Sequence, residues 1–124
     1  MNIVNSIILS VFLLTLYLII LNIQRDTEPK IGVSEKKAKE LLQKNYYDYV
    51  IDVRTNREWN QGRFPGAVHH PLNELYKNVK LYDMNANYLI YCRTGRRAYM
   101  GASIMKEMGF KNVHYLKGDY RKLM

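Results

Sequence analysis

The chain is short of the residues that cross-link a protein. Its 124 residues contain one cysteine, Cys92, so no internal disulfide can form and no disulfide framework supports the fold. An unpaired, reactive thiol suits a reducing cytosol better than an oxidising exterior. Acidic residues are also scarce: 11 Asp and Glu face 19 Lys and Arg, a formal charge of +8. That balance suits an anionic partner, whether a membrane surface, a small anionic substrate or RNA. No nucleic-acid-binding signature is present, so RNA ranks last. Phosphate-loop and dinucleotide patterns are missing, as are internal repeats and low-complexity segments. There are three histidines. His69 and His70 are neighbours in a strand-like run, where adjacent side chains point to opposite faces, and His114 is distant in sequence, so no metal site is expected.

Charge is absent altogether from Ile3 to Ile23, which reads IVNSIILSVFLLTLYLIILNI. As a helix this run would be about 31 Å long at ~1.5 Å per residue, close to the ~30 Å hydrocarbon core. A cleaved signal peptide is the competing reading. No Lys or Arg precedes the run and no small-x-small cleavage site follows it, so a retained single-pass helix over residues 1–24 is expected. Arg25, Lys30, Lys36, Lys37 and Lys39 all follow it, which places the C-terminal part in the cytoplasm and the N-terminus outside. The same lysines form a basic face that can meet anionic lipid. Residues 25–30 read as a linker with Pro29. The charges of Arg25, Asp26, Glu28 and Lys30 cancel, so residues 31–124 carry the whole +8. That stretch suffices for one small domain with a single core.

Within 31–124, short apolar runs alternate with helical patterns. Strands are expected at Ile31–Val33, Tyr49–Val53, Ala67–His70, Tyr88–Tyr91 and Val113–Leu116. Ser34 is placed to cap a helix reaching about Lys44. A short helical piece spans Arg57–Gln61, and Pro65-Gly66 signals a turn. A helix is expected around Leu72–Val79. Another runs from Ala98 to Met108, with Ala98, Gly101, Ala102, Met105 and Met108 on one face and Gly109 as its stop. Strands alternating with helices imply a parallel sheet covered on both faces.

Cys92 opens the segment Cys92-Arg93-Thr94-Gly95-Arg96-Arg97 between a strand and a helix. A thiol there faces unpaired backbone N–H groups and the positive end of the helix dipole. Gly95 lets the backbone curve so that successive N–H groups converge on one point. The three arginines add fixed positive charge. This setting favours the thiolate, which is the nucleophile.

Four segments, in order, carry a family resemblance. Asp52-Val53-Arg54 resembles a D-V-R pattern. Glu58-Trp59 followed by Gly62-Arg63-Phe64-Pro65-Gly66-Ala67 resembles E-[WYF]-x-x-G-H-I-P-G-A. Tyr91 to Ala98 resembles Y-C-R-[ST]-G-x-R-[SA], and Gly109-Phe110 with Leu116-Lys117-Gly118 resembles G-[FY]…L-x-G-G. These patterns identify residues 31–124 as similar to the single-domain rhodaneses, sulfurtransferases here joined to an N-terminal membrane anchor. The resemblance implies an α/β rhodanese-like fold, a small parallel sheet flanked by helices on both faces. It implies a Cys92 persulfide intermediate that accepts sulfur from a donor such as thiosulfate or a persulfide and passes it to a thiol or other nucleophile. No metal or organic cofactor is implied. Arg93, Thr94, Gly95, Arg96 and Arg97 become the substrate-binding loop, with Asp52, Arg54 and Glu58 as structural support: Asp52 and Arg54 read as an end-of-strand pair that fixes the sheet edge near the loop, and the resemblance implies that Arg54 pairs with Glu58. Two departures stand out: Arg63-Phe64 replaces His-Ile, and Asp119 replaces the second closing glycine.

Two other functions compete. The fold can serve as a non-catalytic binding or regulatory module at the membrane. Alternatively, the loop belongs to a cysteine-dependent phosphatase or arsenate reductase. Those enzymes use C-x5-R, whereas Cys92 to Arg97 is C-x4-R, a tighter loop suited to one sulfur atom. A reductase would also need a second thiol to resolve its intermediate, and this chain has none.

Overall fold

The computed structural model describes residues 2–27 and 31–124. Helix α1 spans Ile3–Thr27. Its stretch Ile3–Ile23 has a mean hydropathy of 2.5 and is long and apolar enough to cross a membrane. Two of its hydroxyls bond back to the helix backbone. Ser10 donates to the Ser6 carbonyl and Thr15 to the Val11 carbonyl, each at 2.9 Å. Of the expected linker, residues 25–27 continue α1 and residues 28–30 lie outside the described residues.

The remainder builds one parallel sheet. Its strands are β1 (Gly32–Val33), β2 (Tyr49–Asp52), β3 (Val68–His69), β4 (Asn87–Tyr91) and β5 (Asn112–Leu116). They lie in the order β1-β5-β4-β2-β3 and every pairing is parallel. Central β4 is continuously apolar from Tyr88 to Tyr91 and fully buried, as a strand covered on both faces must be. The helices are α2 (Glu35–Gln43), α3 (Asn56–Gln61), α4 (Leu75–Asn78) and α5 (Arg96–Met108). Ser34 caps α2 as expected, its hydroxyl accepting the Lys37 N–H at 3.1 Å.

Side chains divide between the faces by the two-residue alternation of β4. Tyr88 and Ile90 point to one side, where Leu75 of α4, Val79 just beyond it, and Ala98, Ala102 and Met105 of α5 cover them. Leu89 and Tyr91 point to the other, against Val33, Ala38, Leu116, Tyr120 and Leu123. The small residues of α5 permit close approach: a Cβ at Gly101 would lie 3.2 Å from Leu75. The stretch expected as one helix at Leu72–Val79 divides into a 3₁₀ turn, Leu72–Glu74, followed by α4. The chain closes with a short 3₁₀ turn, Tyr120–Leu123, which Asp119 caps.

A sheet of parallel strands gathers its strand ends along one edge. Asp52 of β2, Tyr91 of β4 and Leu116 of β5 all end there, so Arg54, Cys92 and Gly118 follow on the same side. Ligands of open α/β sheets bind at this carboxyl edge.

Candidate active site

Cys92 directly follows the last residue of the central strand, and α5 begins four residues later. Gly95 caps α5 in the left-handed region, at φ +105°. A Cβ there would lie 3.1 Å from the Leu116 carbonyl oxygen and 3.4 Å from the Gly118 nitrogen, so glycine is required both by torsion and by space. The resulting curl turns main-chain donors inward. The N–H of Gly95 reaches the Cys92 Sγ at 3.1 Å and the N–H of Ala98 reaches it at 3.3 Å. The sulfur therefore sits in a cradle of amides at the N-terminus of a 13-residue helix, a setting that stabilises negative charge. Cys92 is only 1% exposed and lies beneath a rim formed by the exposed Arg93, Thr94 and Arg96. Neither Arg93 nor Arg96 has an ion-pair partner among the described residues.

Of the expected supporting pairs, Asp52 with Arg54 is present and Arg54 with Glu58 is not. The Arg54 guanidinium grips Asp52, with Nε 3.1 and 3.0 Å from the two carboxylate oxygens and Nη2 at 2.8 Å. The Arg54 backbone N–H adds a further bond to Asp52 at 2.8 Å, and Nη2 also donates to the Gly62 carbonyl. Two residues apart at a strand end, the partners meet with little chain to order, which explains the choice. Both are buried, and Arg54 lies over the rings of Tyr120 and Tyr91 at 4.6 and 5.7 Å. Burial alone would weaken its charge, but the Asp52 carboxylate outweighs that and holds the guanidinium above its ordinary range.

Glu58 instead reaches the active loop. Its carboxylate takes both terminal nitrogens of Arg97, at 2.6 and 2.9 Å, in a fork geometry. It is also the third residue of α3 and completes a capping box with Thr55. The Arg97 hydrogen bonds, aided by Thr55 and opposed by partial burial, hold the Glu58 carboxyl at about 2. One carboxylate thus ties the start of α3 to the start of α5.

The two departures from the family pattern also find places. Arg63 lies over the Trp59 ring at 4.1 Å, and Trp59 stacks on His69 at 4.7 Å. His69 Nε2 in turn contacts the Arg54 carbonyl at 2.8 Å. Asp119 pairs with Arg121 at 2.6 Å, and its backbone N–H donates to Glu35 at 2.9 Å. Arg93, Arg54, Gln61, Gly62, Arg121 and Glu58 bound a cleft of about 320 Å³ beside the loop. Nothing in the sequence marked Gln61 or Arg121 as sharing a cleft with Arg93; the only signal was the irregular Asp119, two residues before Arg121. Among the described residues, no group of His, Cys, Asp and Glu is placed to hold a metal ion.

Comparison with known proteins places the chain. Residues 34–124 match the rhodanese-like domain profile. Thiosulfate sulfurtransferase PspE of Escherichia coli is 30% identical over 73 residues, covering 57% of this chain and 70% of PspE. YrkF of Bacillus subtilis is 41% identical over 64 residues, 52% of this chain and 35% of YrkF, so the chain spans about a third of that relative's length. The human single-domain sulfurtransferase TSTD1 superposes with a TM-score of 0.68 at 20% identity, covering 76% of this chain and 95% of that one, which shows a shared fold. The architecture, the position of the thiol loop and these matches agree: the chain belongs to the rhodanese-like domain family.

Proposed function

We propose that the protein is a membrane-tethered sulfurtransferase whose Cys92 carries the transferred sulfur. The observation that carries this reading is the pair of main-chain N–H groups aimed at Cys92 Sγ within a C-x4-R loop. Sulfurtransferase relatives support sulfur transfer in general. In the first half-reaction the Cys92 thiolate attacks the outer sulfur of a donor. With thiosulfate, a new S–S bond forms at Cys92, the donor's S–S bond breaks, and sulfite leaves with its electron pair. The terminal sulfur of the Cys92 persulfide then holds the negative charge, and the loop amides stabilise it. In the second half-reaction an acceptor such as cyanide or a thiolate attacks that terminal sulfur, and the Cys92 thiolate departs with the pair. Arg93 and Arg96 meet the anionic donor at the rim, with Thr94 and Gly95 shaping the loop. Arg97, held by Glu58, fixes the loop's far end. Asp52, Arg54 and Glu58 support the site without touching sulfur.

Residues 1–24 anchor the protein in the cell membrane, residues 25–30 link, and residues 31–124 form the domain, which faces the cytoplasm. The apolar length of Ile3–Ile23 and the basic residues that follow it support this arrangement. Protease digestion of intact cells tests it: a domain cleaved from outside would refute the orientation.

Intact mass after incubation with thiosulfate, and separately with an organic persulfide, tests the chemistry. Wild type gains one sulfur and Cys92→Ser gains none. The near-complete burial of Cys92 gives a second reading, a binding module with an idle thiol. Absence of any sulfur gain with either donor would favour it.

A further inference from the structure

Every strand of this sheet enters at one edge and leaves at the other. The Cys92 loop stands at the leaving edge. The chain comes from α1 into β1 at the entering edge, through Ile31. From Ile23, where the apolar run ends, the helix to Thr27 adds about 6 Å, and the remaining steps to Ile31 reach at most about 14 Å. Ile31 is therefore held within about 20 Å of the end of the apolar run.

The entering edge exposes several apolar side chains. Leu81, in the turn before β4, is 99% exposed. Tyr46 and Tyr49, at the start of β2, are 37% and 41% exposed. The Tyr82 ring lies 5.3 Å from that of Tyr49 and 6.3 Å from that of Tyr88, which fixes the Leu81 turn against the strand starts. The Lys111 N–H donates to the Met84 carbonyl at 3.0 Å and places Lys111 on the same edge. Lys44, Lys80 and Lys106 join it there, against Asp48, Asp83 and Glu107. Asp48 and Asp83 each accept a nearby backbone N–H at 2.8 Å, from Asn87 and Asn85. One exposed leucine means little by itself. Leucine, tyrosines and lysines together, within a short tether of a span-length apolar helix, match the composition that favours the boundary between bilayer and water. Lys36 and Lys37, by contrast, stand at the first turn of α2, which starts from the leaving edge.

We infer that the domain stands on the bilayer by its entering edge, with Leu81, Tyr46 and Tyr49 at the headgroups and the Cys92 loop turned toward water. This rests on the reading of α1 as a membrane span. It assigns the contact to the Leu81 turn rather than to the first lysines of α2. It also means that donor and acceptor reach Cys92 from the aqueous phase rather than from lipid.

The full chain reconstituted in phosphatidylcholine–phosphatidylglycerol vesicles tests this. In a Cys92→Ser background, Leu81→Cys and Thr94→Cys each carry one environment-sensitive dye. Headgroup-labelled spin lipids quench the dye at position 81 several-fold more than the dye at 94, and aqueous iodide shows the reverse order. Equal quenching at both positions, or stronger lipid quenching at 94, overturns the inference while leaving the span intact. Protein stripped from the vesicles by alkaline extraction overturns the spanning reading and the inference with it.

Discussion

Two carboxylate–guanidinium pairs support the thiol loop, and they are built differently. Asp52 and Arg54 form a floor: both are buried, linked by four hydrogen bonds, and Arg54 lies against the rings of Tyr91 and Tyr120. Glu58 and Arg97 form a wall: a single fork whose side chains remain 23% and 33% exposed. The floor joins residues two apart and braces the end of one strand. The wall joins residues 39 apart and ties α3 to the loop itself. Burial makes the floor costly to break, while position makes the wall the more direct handle on loop geometry.

Breaking the floor has the largest effect. Asp52→Ala leaves a buried guanidinium without its partner and lowers stability by about 3–5 kcal/mol, measured by urea denaturation. A loss under about 1 kcal/mol would make the floor no stronger than an exposed pair. Next comes the loop between the two. Gly95→Ala forces a Cβ toward the Leu116 carbonyl at φ +105°. The strain costs about 1–3 kcal/mol and slows persulfide formation, read from melting and from the rate of mass gain. Unchanged rates would show that the cradle tolerates a different curl. Glu58→Gln weakens the wall by about 1 kcal/mol or less, given its exposure. Its melting temperature falls more than its persulfide yield, and a normal melting curve with lost activity would make Glu58 part of the chemistry.

The smallest effect is one of pH. The Glu58 carboxyl, held at about 2 in the folded chain, ordinarily titrates near ~4.3. A depressed folded value contributes stability that is fully present above the unfolded value and is lost as pH falls through the folded one. The stability difference between wild type and Glu58→Gln should therefore shrink from about pH 5 down to pH 2. A difference that stays constant across that window would mean the Arg97 fork adds nothing to folding.

Much of this was legible beforehand. Alternation of short apolar runs with helical patterns located the strands and helices because a buried parallel sheet demands continuous apolar segments. The thiol loop was legible because its neighbours are local: the curl at Gly95 and the start of α5 lie within six residues of Cys92. Ion-pair partners were legible only in part: Asp52 and Arg54 read as an end-of-strand pair, whereas the partner of Glu58 did not. Glu58 was expected beside Arg54, four residues away, but its partner Arg97 lies 39 residues on, a distance no local pattern spans. The seat of the loop was half legible: Leu116-Lys117-Gly118 stood out as a pattern, but that Gly95 rests on it, and that Tyr120 covers Arg54, did not.

That seat has a consequence for the tail. The loop rests on the backbone that follows β5, through the close approach of Gly95 to Leu116 and Gly118. The closing residues contain no reacting atom, yet they are the anvil against which the loop is shaped. Whatever lifts Tyr120 from Arg54, from a bound protein to a truncation, would be felt at the sulfur before the sheet itself began to open.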